Sequence, residues 1–188
     1  MLKQLPNALT VSRLILAPVV AWAVWQSYAA EDAARWAVWA FALFAVAALT
    51  DLFDGMIARA LDAHSKFGRL VDPIADKALV GLPLVALSLI AWRAGWGVWP
   101  LIALASAVII GRDLLITAIR MSSPDGEGVR VSRLAKWKTA LELVAVGAPL
   151  LLIASQGAGS DMLVAACAGL LALAAALSAY TGLQYLRR

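Results

Sequence analysis

The sequence predicts an all-α integral membrane protein, six transmembrane helices with a short amino-terminal cytoplasmic segment, and three observations carry that expectation. Of the 188 residues, 63% are hydrophobic and 15% charged, whereas soluble domains use apolar residues for about half of the chain. Mean hydropathy is +0.83, and the apolar residues gather into runs long enough to cross a bilayer, about 20 residues each. The basic residues concentrate at alternate ends of those runs. Six spans would take up about two thirds of the chain, so a single membrane domain over 1–188 is expected, without a separate soluble domain or long linker.

The first run, 14–28, follows a stretch from Met1 to Arg13 that is too polar for a cleavable signal peptide. The run itself lacks a small-residue cleavage site and is kept as a mature span. Further runs, bounded by charges and turn residues, cover 33–60, 68–92, 97–120, 138–156 and 162–186. Six crossings place both termini on one side. Lys3, Arg13, Arg59, Lys66, Arg69, Arg120, Arg130, Arg133, Lys136, Lys138, Arg187 and Arg188 fall on that side, twelve of the sixteen basic residues, against Arg35 and Arg93 opposite. The positive-inside rule therefore assigns both termini to the cytoplasm. Trp22, Trp25, Trp36, Trp39, Trp92, Trp96 and Trp99 all fall at the opposite face, one interfacial aromatic belt.

The net charge of +4 is thus an orientation signal. Nucleic acid is excluded as a partner, because the cations are dispersed over four juxtamembrane segments with no soluble reading module. Cys167 has no partner in the chain, which excludes an intramolecular disulfide, and it reads as a small apolar packing residue.

Ionisable groups inside a span are functional candidates by default, and here they cluster. The second run carries Asp51 and Asp54, then Gly55, Ala58 and Arg59; the third opens with Gly68, Asp72, Asp76 and Lys77. Asp51, Asp54 and Ala58 share one helical face, and Asp72 and Asp76, at i and i+4, share a face of the next helix. From Trp36 to Asp51 is about 22 Å of helix in a hydrocarbon core about 30 Å thick, so the carboxylates belong to the cytoplasmic leaflet. Four carboxylates packed between two helices repel one another unless a cation neutralises them. Oxygen donors without His or Cys select a hard divalent ion, Mg²⁺ or Mn²⁺. Taken singly, an Asp at a span end is a solvated or capping group, a glycine in a membrane helix is a packing contact, and His64 is an exposed loop residue. The combination at fixed offsets is what such roles leave unexplained.

The stretch Asp51-Leu-Phe-Asp54-Gly55-Met-Ile-Ala58-Arg59, followed after eight residues by Gly68, then by Asp72 and Asp76 at intervals of four, resembles in full the signature of the CDP-alcohol phosphotransferases. That resemblance implies an integral membrane enzyme, homodimeric as a rule, which transfers a substituted phosphate from a CDP-linked lipid to an alcohol and releases CMP. It implies Asp51, Asp54, Asp72 and Asp76 as ligands of Mg²⁺ or Mn²⁺, a pair of ions. Asp76 would also be the base that takes the acceptor's proton. Asp51, Asp54, Gly55, Ala58, Arg59 and Gly68 would form the site for the CDP-lipid. The opening Leu5-Pro6-Asn7-Ala-Leu9-Thr10-Val-Ser-Arg13 is similar to the family's start and adds Asn7 and Thr10 to that site.

Asp72-Pro73-Ile-Ala75-Asp76-Lys77, the run from Ile110 to Arg120, and Ala135-Lys136-Trp-Lys138-Thr139 are similar to the bacterial members that take CDP-diacylglycerol and glycerol 3-phosphate in phospholipid biosynthesis. This likeness covers most of 5–145 and implies an inner (cytoplasmic) membrane location. Glu142 stands where those members have Gln, and Met121 where an acidic residue often follows the Arg. Arg112, Arg120, Arg133, Lys136 and Lys138 supply the positive charge that a phosphate-bearing acceptor requires. For Arg133 simple positive-inside charge is an equal explanation, and Arg112 could instead pair with Asp113 or Glu142.

Two other functions stay open on the sequence. A cardiolipin-forming enzyme would take phosphatidylglycerol, a lipid alcohol, and would need fewer cations. A small cation transporter would also carry intramembrane carboxylates. It would place them nearer mid-membrane, however, and would leave Gly55, Ala58, Arg59 and Gly68 without a reason.

Overall fold

The computed structural model describes residues 5–61, 66–122, 133–155 and 161–187, and within them the side chains outside 5–8, 51–70, 120 and 133–136. Among the described residues there are six helices and no strand: α1 (Leu5–Ala29), α2 (Ala33–Leu61), α3 (Lys66–Arg93), α4 (Trp99–Ser122), α5 (Arg133–Ala154) and α6 (Asp161–Leu186). All six are long and apolar enough to cross a membrane.

Each helix coincides with one apolar run of the sequence, although their ends differ. α1 starts well before residue 14 and α5 before residue 138. Apolarity governs which residues enter lipid, whereas backbone hydrogen bonding continues through polar turns. Pro6, in the first turn of α1, sits where a missing N–H leaves no helical bond unmade. α3 stops because Gly95 adopts φ 69°. Gly95 N donates to Trp92 O at 3.2 Å and Trp96 N to Ala91 O at 3.0 Å, the paired bonds of a Schellman cap. That cap moves the start of α4 to Trp99, two residues beyond the start of its apolar run.

The helices close into a ring in the order α1, α3, α4, α6, α5, α2, with α2 returning to α1. α2 and α3, although consecutive, touch each other little, and α1 packs extensively on both. The site expected from the sequence draws on the first three helices, through Asn7 and Thr10 as well as the acids of α2 and α3, and α1 is the neighbour that α2 and α3 share. Its seam residues Ala17, Val20, Ala23 and Val24 are buried and small enough to let two backbones approach together. α6 does the same with Ala168, Ala174 and Ala175. At Gly147 a Cβ would lie 3.3 Å from Phe41 Cε2, so α5 packs tightly on α2 there.

Outside the ring, Ile15, Leu104 and Leu173 are exposed, as suits helices whose outer solvent is lipid. The tryptophan-bearing end is clamped by aromatic contacts. Trp22 and Trp36 meet edge to face at 4.8 Å, joining α1 to α2, and the Arg93 guanidinium lies 5.2 Å from the Trp25 ring, joining α3 to α1.

Candidate active site

At the end away from that clamp, α1 and α3 meet through charge. Thr10 and Arg13, at i and i+3, share a face of α1, and Asp72 and Asp76, at i and i+4, share a face of α3. Thr10 Oγ1 donates to Asp72 Oδ1. Arg13 Nη1 donates to Asp76 Oδ1 at 2.5 Å, while Nη2 stands 3.7 Å from Asp72 Oδ1. The arginine is 1% exposed, whereas the carboxylates are 48% and 39% exposed. The cation is therefore enclosed by the helices and the carboxylates open outward. Arg13 orients both acids from behind.

Those two acids suit a hard divalent ion, because oxygen donors one helical turn apart and open to solvent can turn toward one centre. No cluster of three or more acidic, His or Cys residues occurs among the described residues. The side chains of Asp51 and Asp54 lie outside them, although both residues are in the last turns of α2. The same holds for Gly55, Ala58 and Arg59 on α2, Gly68 on α3 and Asn7 on α1. His64 lies outside the described residues altogether.

A second polar cluster joins four helices. Asp113 on α4 accepts from Lys138 Nζ of α5 at 2.6 Å and from Arg112 Nη1 at 2.8 Å, and Lys77 Nζ of α3 stands 3.6 Å away. Lys138 also meets Glu142 Oε2, one turn along α5, at 3.0 Å. Arg112 Nη2 donates to Thr181 Oγ1 of α6 at 3.2 Å. At Gly182 a Cβ would fall 2.8 Å from Arg112 Cγ, so only glycine leaves room for that arginine's stem. Glu142 of α5 and Ser178 of α6 are both buried and face one another at the inner side of the cluster.

Of the five cations expected for an acceptor phosphate, Arg112 and Lys138 thus come together on Asp113. The side chains of Arg120, Arg133 and Lys136 lie outside the described residues, on α4 and α5. Sequence reasoning missed Asp113 as the meeting point and missed Thr181 and Gly182 entirely. The signal was present, since Ser178, Thr181 and Gly182 recur at i, i+3 and i+4 in an otherwise apolar run. It also read Arg13 for orientation and as part of the opening motif, not as the partner of two acids.

The chain is similar along most of its length to proteins of one family. The family described as CDP-alcohol phosphatidyltransferase matches residues 3–180. A protein of Cereibacter sphaeroides named CDP-diacylglycerol–glycerol-3-phosphate 3-phosphatidyltransferase is 40% identical over 143 residues, which span 76% of this chain and 61% of that protein. A Rickettsia felis protein of the same name is 34% identical over 98% of this chain and 94% of its own length. A second such enzyme of Arabidopsis thaliana, numbered 2, is 36% identical over 78% of this chain and 64% of its length.

Proposed function

Because the chain belongs to the CDP-alcohol phosphatidyltransferase family, we propose that it transfers the phosphatidyl group of CDP-diacylglycerol to glycerol 3-phosphate, giving phosphatidylglycerophosphate and CMP. The observation that carries this reading is the pair Asp72 and Asp76, half open on one face of α3 and held by the buried Arg13. They close the acidic signature, and relatives that carry the chain's likeness along nearly its whole length are named for this reaction.

In this reading an oxygen of the acceptor hydroxyl attacks the phosphorus beside the diacylglycerol. The bond from that phosphorus to the bridging oxygen breaks, and CMP leaves with the electron pair. Asp76 takes the hydroxyl proton as general base. Arg13 keeps its carboxylate on the substrate-facing side. Asp51, Asp54, Asp72 and Asp76 would hold Mg²⁺ or Mn²⁺. When bound, such ions supply the positive charge that a diphosphate and a leaving nucleotide require. Asn7, Thr10, Gly55, Ala58, Arg59 and Gly68 would receive the cytidine diphosphate, and Arg112, Arg120, Arg133, Lys136 and Lys138 would supply the positive field for the acceptor. The acyl chains remain in the bilayer. The distribution of lysine and arginine supports cytoplasmic termini, and the family resemblance supports a homodimer.

The experiment is CMP release by detergent-purified protein given CDP-diacylglycerol and Mg²⁺ or Mn²⁺, with one acceptor at a time. Release with glycerol 3-phosphate alone is the expected result. Release with phosphatidylglycerol would reassign the acceptor, and none with any acceptor from folded protein would reject the transferase reading.

A further inference from the structure

Asp113 carries more positive charge than neutrality in a membrane helix requires. Lys138, 4% exposed, already has the Glu142 carboxylate one turn away on its own helix at 3.0 Å. A second carboxylate is not needed to compensate that ammonium, yet Asp113 reaches it at 2.6 Å and also draws Arg112 from its own helix and Lys77 from α3. The three cations differ in access: Lys138 is enclosed, Arg112 is 17% exposed and Lys77 30% exposed.

Depth follows from the sequence of α3. Lys77 succeeds Asp76 directly, so its Cα lies about 1.5 Å further along the helix axis. Lys77 therefore reaches Asp113 of α4 from the level of the acid proposed as the base, leaving α3 on the adjoining face. Arg112 is held from a second side by Thr181 and along its stem by Gly182. Lys77 stands too far from Asp113, 3.6 Å, to spend a hydrogen bond there. Among the described residues, three cations against two carboxylates leave one positive charge in excess, carried at the more open end of the cluster.

We propose that Asp113 is a positioning residue for the acceptor: it fixes Lys77 and Arg112 side by side at the depth of Asp76 as a two-pronged seat for a phosphomonoester dianion. Lys138 and Glu142 brace it from the buried side. This rests on the transferase reading above and adds Lys77 as the phosphate ligand that the sequence did not single out. It also gives a physical basis for preferring a phosphorylated alcohol, since a neutral lipid alcohol would leave the excess charge unanswered.

The test compares Asp113→Asn, Asp113→Glu and Lys77→Gln with the wild-type full chain in detergent, measuring KM for glycerol 3-phosphate and for CDP-diacylglycerol separately. Asp113→Asn and Lys77→Gln are expected to raise the glycerol 3-phosphate KM about tenfold or more, the loss of a charge-assisted phosphate contact. The CDP-diacylglycerol KM should stay within about twofold, and Asp113→Glu should recover most of the loss. An unchanged glycerol 3-phosphate KM in either variant, or a parallel rise of both constants, overturns the proposal. Should Asp113→Asn not fold, Lys77→Gln, at a half-buried position, decides alone. Wild-type protein that releases no CMP with glycerol 3-phosphate would instead reject the reaction itself, and is read in the same assay before any variant.

Discussion

Arg13 and Asp76, on helices separated by most of two membrane crossings in the chain, meet at 2.5 Å, and the same guanidinium stands 3.7 Å from Asp72. One enclosed cation thus spans both acids that end the signature. Arg13→Met leaves two carboxylates one turn apart without it. We expect a lower Tm in detergent, equivalent to about 1–3 kcal/mol because both acids still reach solvent. CMP release should fall by about tenfold or more, since misplaced acids lose orientation. Arg13→Lys should be intermediate, because a single ammonium does not fork across two carboxylates. Thermal unfolding and the CMP assay read both effects, and an unaltered Tm in Arg13→Met would show that the bridge does not hold α1 to α3.

Asp76→Asn keeps size and a hydrogen-bond acceptor for Arg13 but cannot take a proton. Turnover should drop by about 10² or more, with folded protein and CDP-lipid binding retained. Near-normal activity in this variant would remove Asp76 from the role of base.

Chelation of divalent ions should abolish CMP release, and Mg²⁺ or Mn²⁺ should restore it. In Asp72→Asn the concentration of Mg²⁺ needed for half-maximal activity should rise by about tenfold or more, because one oxygen donor is weakened. Titration of the metal against initial rate measures this. Full activity in the chelator would exclude the carboxylates as metal ligands.

Gly182→Ala would place a methyl group 2.8 Å from Arg112 Cγ, whereas a Cβ at Gly169 meets nothing within 4 Å. The first change should destabilise by about 1–3 kcal/mol through overpacking. The second should be neutral or slightly stabilising, as alanine is the better helix former. Gly182→Ala should in addition raise the KM for glycerol 3-phosphate, since Arg112 must move from Asp113 or Thr181. Equal Tm values for the two variants would mean that the arginine stem yields freely.

The membrane class, the number of helices and the acidic face of α3 are all legible in the residues themselves. These depend on local composition and on spacing along a single helix, and Asp72 and Asp76 share a face wherever that helix goes. The signature residues on α2 were equally legible as a pattern. The partners of the acids were not. Arg13 was counted among the basic residues that orient the chain, and its enclosure between α1 and α3 depends on which side of α1 turns inward. Asp113 was named only as one conceivable partner of Arg112, because nothing in the fourth run indicates that α5 and α3 bring Lys138 and Lys77 to it.

The sequence by itself determined that this chain forms apolar helices with a carboxylate signature at one end, since lipid demands internal backbone hydrogen bonding and helical periodicity sets what shares a face. Only the tertiary structure decided that α1 lies between α2 and α3, and that four helices pool their polar residues around Asp113. Helices apolar on nearly every side carry no marked polar stripe to fix their rotation. Their order and facing are chosen by close packing of small residues and by the few buried charges finding one another, contacts between residues as far apart as Arg112 and Thr181.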